Sequence, residues 1–388
     1  MRETLSPDPI LALARPDVLA NPYPAYAWLR EHTPVFWYEP LASWVLTRHA
    51  DCVEVLRDNV RFGADWRRIG EEAPPHAVSI QTLDPPEHTA IRRLLMDAIR
   101  GQEDAVTTRS IAHHTASLLD RLRARSSFDF VTEFAEPLAL STIAAYLGVP
   151  EPDRTWFVPV SNAIADGMDA GLWPERAAAA TAGRIRLAEL VDGWLTTPPA
   201  AGVVARVAGL HRSGGVDRDV VANTLRVLVH AGYASASKLL SLAAAALLAE
   251  PGELARWATA DPALAVEELV RHVSPVQAMA RACVIDTRLG DTAIRAGHAV
   301  TLLLGAANRD PDRFAEPDAL RFDRRANPHL GFGRGSHSCL GSPLAVAQTK
   351  AVFTALARDH PAAHLTGPPT YRTNLTLRGL ERLPVALR

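Results

Sequence analysis

Apolar residues recur at helical spacing through most of this chain, and only short stretches alternate in the manner of strands. The periodicity predicts a helix from Arg48 to Asp58 with Val53, Val55 and Leu56 inward, then helices over 86–100, 108–124, 133–147, 152–166 and 174–196. Thr197-Pro-Pro-Ala-Ala-Gly202 breaks the pattern. The longest predicted helix runs from Asp217 to Ala249. It holds no proline and is apolar on most faces, so it should cross the centre of the molecule. Pro251-Gly252 ends it, and helices over 252–259, 263–273 and 343–358 follow. Pro34–Tyr38 and Ser43–Thr47 read as a hairpin, Pro275–Val300 as irregular strand with a turn at Gly290-Asp291, and Thr370–Arg388 as weak strands. Ala64–Thr82 has no clean period and carries Pro74 and Pro75, which predicts a long loop of the kind that is often functional. The expected fold is mainly α with small peripheral β-sheets, and no boundary divides residues 1–388, which are read as a single domain.

Composition narrows the picture. A net charge of −2 gives no global attraction to nucleic acid or to an anionic membrane. Lys238 and Lys350 are the only lysines among many arginines and alanines, a bias that suggests a GC-rich bacterial genome. Three cysteines, Cys52, Cys283 and Cys339, give no disulfide framework and fit a reducing cytoplasm. Met1–Ala20 is polar and proline-bearing, unlike a signal segment or anchor, so a soluble, cytoplasmic protein is expected.

The chemistry concentrates near the C-terminus, in Phe332-Gly-Arg-Gly-Ser-His-Ser-Cys339-Leu-Gly341. Here one cysteine sits in a glycine-spaced loop just before a predicted helix. Gly333, Gly335 and Gly341 admit backbone conformations that other residues resist. The helix dipole is expected to lower the thiol pKa, and loop N–H groups could point at the sulfur. A lone cysteine is ordinarily a buried structural thiol. This one sits in the pattern Phe-Gly-x-Gly-x-His-x-Cys-x-Gly, which resembles the haem-binding loop of the cytochrome P450 family at every defined position.

That resemblance implies a triangular-prism fold, haem b (iron protoporphyrin IX) as cofactor, and Cys339 as the thiolate ligand of its iron, with Phe332, Gly333 and Gly341 shaping the loop around it. Thiolate ligation favours O–O cleavage. Glu268-Leu-Val-Arg271 would ordinarily be a surface ion pair on one helix face. In the order of the family's Glu-x-x-Arg helix it becomes a buried brace, with Arg321 a candidate third member. His88 and Arg92, which share a helix face, together with Arg281 and His337, match positions that hold the haem propionates.

The central helix reads Val229-His-Ala-Gly-Tyr-Ala-Ser235, where many relatives carry an acid followed by an alcohol. The acid position is Ala234 and the alcohol position Ser235. Gly232 marks either close helix packing or an opening for O2. An absent acid leaves the proton source open, because bound oxygen needs a positioned donor or a water chain. Water with Ser235, a polar group on the substrate, or a radical coupling without oxygen insertion would each serve. His230, in an apolar helix, is a core residue or a substrate contact. Regions matching the family's substrate segments supply Trp66, Val229, Val276, Met279 and Leu375, an apolar lining with Arg67, Arg68 and Asn374 as candidate anchors.

The resemblance thus implies an oxidase or monooxygenase that takes two electrons from a ferredoxin and its reductase, consumes O2, and hydroxylates a small bacterial secondary metabolite. The sequence leaves open C–C or C–N coupling of an aromatic such as an indole-bearing cyclic dipeptide, a peroxide-driven peroxygenase, and a haem protein that binds ligands without turnover.

Overall fold

The structure, a computed structural model, describes residues 8–102, 104–211, 215–250 and 252–388. Among these, the helices are α1 Pro16–Leu19, α2 Tyr23–His32, α3 His49–Arg57, α4 Glu87–Arg100, α5 Asp104–Leu122, α6 Glu136–Leu147, α7 Arg154–Asp166, α8 Arg176–Thr196, α9 Gly202–His211, α10 Arg218–Ala249, α11 Glu253–Thr259, α12 Pro262–Val273, α13 Leu304–Ala307 and α14 Ser342–Asp359. The strands are β1 Val35–Tyr38, β2 Ser43–Leu46, β3 Phe62–Gly63, β4 Phe128–Asp129, β5 Ala278–Cys283, β6 Thr287–Leu289, β7 Thr292–Ile294, β8 Ala299–Leu303, β9 His364–Leu365, β10 Thr370–Tyr371, β11 Leu380–Arg382 and β12 Pro384–Ala386.

α10 organises the core. Asp217 caps it by accepting from the N–H groups of Asp219 and Val220, which satisfies two of the donors that a helix start leaves free. Its first half, from Val221 to Ala236, shares an apolar cluster with residues of α4, α6, α7, α8 and α9; its second half, from Leu239 to Leu248, shares one with residues of α5, α11, α12 and α14. α10 is long and apolar enough to span a membrane, but most of it is buried in this core.

The predicted hairpin is present, with Val35 opposite Leu46 and Tyr38 opposite Ser43. It belongs to a five-stranded sheet of order β1-β2-β8-β5-β3 in which β2 and β8 run parallel. Val53, expected inward with Val55 and Leu56, is only half-buried, and Cys52 takes the fully buried place. α9 was not predicted: its ten residues begin at the last residue of the proline-rich breaker, and its buried face is Gly202, Val203, Val204, Val207 and Ala208. The 64–82 loop contains two single-turn 3-10 helices, Trp66–Ile69 and Pro75–Ala77. It is fastened to α10 by hydrogen bonds: Asn223 Nδ2 donates to the carbonyls of Pro75 and Val78 at 2.9 Å, Arg226 Nη2 to that of His76, and the Ile80 N–H donates to Thr224 Oγ1 at 3.1 Å.

Candidate active site

Cys339 lies three residues before Ser342, the first residue of α14. Its own N–H donates to the Phe332 carbonyl at 2.9 Å, which closes the loop into a ring, and the Gly333 N–H donates to Leu330 at 2.9 Å. Gly333 and Gly335 hold φ of +66° and +74°, the left-handed region that favours glycine. At Gly335 a Cβ would also collide with the Leu56 carbonyl of α3, so this glycine keeps the loop against that helix. Gly341 differs from expectation. Its φ is −85°, and a Cβ there would meet only Cys339 Sγ at 3.9 Å.

Cys339 is exposed as a residue although protein surrounds its side chain densely. The N–H groups of Gly341 and Ser342 point at its sulfur. The expected lowering of the thiol pKa is not found. Burial pushes the Cys339 thiol up, and the two N–H donors together with Arg92 offset only part of that rise. Among the described residues no group of three or more His, Cys, Asp or Glu side chains is placed to hold a metal, so Cys339 stands as a single candidate ligand.

His88 and His337 meet beside it, with ring centroids 4.2 Å apart. The Nε2 atom of each is buried without a hydrogen-bond partner. Burial, then His337 and Arg92, lower the His88 pKa to about 4. Arg92 donates to the carbonyl and hydroxyl of Ser338 at 3.0 and 3.1 Å. Arg281 is 6% exposed, and its one hydrogen bond among the described residues goes to the adjacent Ala280 carbonyl. The orphaned His88 Nε2 and a buried guanidinium with spare donors, with His337 Nε2 held only by a long 3.7 Å pair to Asp84, fit an anionic, hydrogen-bonding group such as a haem propionate. Asp84, absent from the sequence reading, anchors this corner: it accepts from Ala64 N, Asp65 N and Arg68 Nη1, and lies 3.7 Å from His337 Nε2. Burial alone would raise its pKa, but these neighbours outweigh it and hold the carboxyl well below its usual range. The signal in the sequence was the acid before Pro85-Pro86, four residues ahead of His88.

Glu268 and Arg271 are fully buried, with Arg271 Nη2 2.7 Å from Glu268 Oε1. Arg271 also donates to the carbonyls of Asn308, Pro317 and Ala319. The third member is Arg324, whose Nε lies 3.1 Å from Glu268 Oε2, and Asn327 adds a fourth contact at 3.1 Å. Arg321 contributes only its backbone N–H; its guanidinium is turned outward to Asp323 and Glu316. The brace reaches the cysteine loop through Asn308, whose Oδ1 accepts from Leu330 N at 2.7 Å.

On α10, between Val227 and Ser235, the half-buried positions are Val227, Leu228, Ala231, Gly232 and Ser235, one stripe at helical spacing. α10 is unbroken through Gly232, where a Cβ would stand 2.6 Å from Ile143 Cδ1; close packing on α6 is what that glycine provides. Ser235 Oγ donates to the Ala231 carbonyl at 2.7 Å. Ala234 is buried against the core. Val229 is fully buried too, and His230 pairs with Ser161 Oγ at 2.9 Å, so both leave the accessible stripe to their neighbours. Trp66, Val276 and Met279 are half-buried, Val276 bridging to Leu377. Leu375 packs with Tyr23, Leu172 and the N-terminal apolar group instead. Arg67 and Arg68 are engaged by Asp65, Glu87 and Asp84, and Asn374 is 2% exposed. One turn beyond Ala234 lies Lys238, which the sequence reading passed over: 5% exposed, its pKa lowered to about 8 by burial and Arg372 against the pull of Glu136 and Asp166.

Comparison with known proteins agrees with this geometry. The Cytochrome P450 family model matches residues 263–362. Cytochrome P450 107B1 of Saccharopolyspora erythraea is 30% identical over 370 residues, covering 89% of each chain. Nocardicin C N-oxygenase of Nocardia uniformis is 34% identical over 387 residues, covering 94% of this chain and 95% of its own. The solved structure of the bacillaene polyketide synthase cytochrome P450 PksS from Bacillus subtilis superposes with a TM-score of 0.87 at 28% identity, covering 96% of this chain and 98% of that one. The chain belongs to the cytochrome P450 family. It is a haem-dependent monooxygenase of the bacterial type that acts on a small molecule with electrons from redox partners.

Proposed function

We propose that this enzyme hydroxylates a small secondary metabolite in the bacterial cytoplasm, with a ferredoxin and its reductase as electron source and haem b as cofactor. The carrying observation is Cys339: an exposed residue whose sulfur receives the Gly341 and Ser342 N–H groups, in a loop shaped by two left-handed glycines. Haem b is supported because none of the three cysteines begins or ends a C-x-x-C-H attachment motif. When bound, the haem supplies the O2 chemistry; the protein binds, orients and tunes. Cys339 would hold its iron, while His88, His337 and Arg281, with Arg92 beside Ser338, would hold its propionates. Phe332 and the loop glycines set the position of the sulfur, and the Glu268–Arg271–Arg324 network keeps the loop in place. Ser235 keeps a hydroxyl on the accessible stripe of α10, and its present bond to Ala231 holds that proton until an acceptor competes for it. Residues 1–388 would work as one domain.

Radical coupling of an aromatic substrate is a second reading, favoured by one observation: Ala234 offers no acid beside Ser235. Turnover with ferredoxin and reductase separates them by mass, since insertion adds one oxygen and intramolecular coupling removes two hydrogens. Cys339→Ser tests the ligand assignment. The thiolate band of the reduced carbon monoxide complex should vanish, and its survival would refute the role of Cys339.

A further inference from the structure

Beside its accessible stripe, α10 turns a second polar face to α7 and α8. There His230 Nδ1 meets Ser161 Oγ of α7. α8 approaches the same spot, since a Cβ on Gly183 would stand 3.0 Å from Ile164 Cγ1 and 3.1 Å from the Val160 carbonyl. Arg184 follows Gly183 on α8, and Arg226 stands one turn before His230 on α10. Arg226 is 6% exposed; its Nη2 donates to His76, but its Nη1 is buried with no partner. His230 is 7% exposed, and its Nε2 is likewise buried and unpartnered. In the tautomer in which Nδ1 accepts from Ser161 Oγ, the neutral ring carries its N–H on that free Nε2. Burial pushes the pKa of both arginines down, Arg184 pushes that of Arg226 down further, and neither arginine forms an ion pair with a carboxylate among the described residues.

Arg226 and His230 are buried and Arg184 is half-buried; a buried guanidinium with a free donor and no counter-ion among the described residues is half of an ion pair. We propose that Arg184, Arg226 and His230 form a subsite for an anionic group, a carboxylate or phosphate, carried by the substrate. The inference rests on the reading of the chain as an enzyme acting on a small molecule, and adds the chemistry by which that molecule is chosen. Val227 and Ala231, each one residue on from a member of the subsite, begin the accessible stripe. A substrate tethered by its anion would lay its body along that stripe towards Ser235.

Three probes of one chain length test this: dodecan-1-ol, dodecanoate and dodecyl phosphate, titrated calorimetrically into haem-loaded enzyme at constant ionic strength. At least one anion should bind roughly tenfold or more tightly than the alcohol, because hydrogen bonds to charged groups are worth that much. Arg184→Gln should remove the preference, and Arg226→Lys should keep part of what Arg226→Gln loses. Arg226 also ties down residue 76, so Arg184→Gln, whose side chain makes no other bond among the described residues, is the decisive variant. Which anion is preferred distinguishes a carboxylate from a phosphate substrate. Equal binding of alcohol and anions, no binding of either anion, or a preference that survives both Gln variants overturns the subsite. The reduced carbon monoxide spectrum of the same samples reads the haem-thiolate assignment separately. A normal band without anion preference removes the subsite alone, whereas a missing band removes the parent reading.

Discussion

Ser235 shows how much one side chain can decide. Its hydroxyl sits where a neighbouring acid would normally share the handling of protons, and Ala234 cannot share it. Ser235→Ala should therefore raise hydrogen peroxide release per electron pair consumed. Unchanged coupling would instead locate the donor in water or substrate. His230 makes a different prediction. Burial, then Lys238, Arg184 and Arg226, lower its folded-state pKa to about 3. A base held below its unfolded value stays neutral in the fold, while the unfolded chain takes up a proton as the pH drops through the ordinary range. Stability is thus unaffected above about pH 6.5 and falls as the pH drops towards 3, by about 2 kcal/mol at pH 5. His230→Asn should flatten this part of the unfolding profile measured by denaturant titration. Cys339 was legible because a defined motif surrounds it. Arg324 was not, because arginines three residues apart look alike in sequence and only the fold decides which of Arg321 and Arg324 turns inward.

Among elements, α12 converts a common helix-surface pair into an internal strut. Glu268 accepts from Arg271, Arg324, Asn327 and the Arg321 N–H, so all its lone pairs are in use. Removing one partner leaves a buried charge uncompensated. Arg271→Met should cost roughly 3–5 kcal/mol in unfolding free energy, and Arg324→Met should follow in the same direction. Arg321→Ala, which loses only exposed pairs, should stay within about 1 kcal/mol. Denaturant unfolding of the three variants checks the ranking, and an equal loss in Arg321→Ala would dismiss the distinction. The pattern of long apolar faces made α10, α12 and α14 readable, since each buries a continuous stripe. α9 escaped because it is short and follows prolines, and the five-stranded sheet escaped because pairing between β2 and β8 joins segments over 250 residues apart, which no local period records.

For the molecule as a whole, the chain divides into packed helices around α10 and an irregular segment, 64–82, laid against them. Ile80 and Leu83 enter the apolar core and Val78 packs at its edge, while the carbonyls of residues 75, 76 and 78 accept hydrogen bonds from α10. Thr224→Val removes the acceptor of the Ile80 N–H, and amide exchange at Ile80 should quicken by roughly tenfold, with the amides of α10 unchanged. Equal acceleration along α10 would mean the helix itself had loosened. Hydrogen bonds of this kind differ from an apolar seam in how they part. Water can replace them singly, each at small net cost, so the segment behaves as a door hung on several light latches. Passage of a bulky guest would then be graded by how many latches are undone, and low concentrations of urea, far below those that unfold the core, should speed its entry and exit.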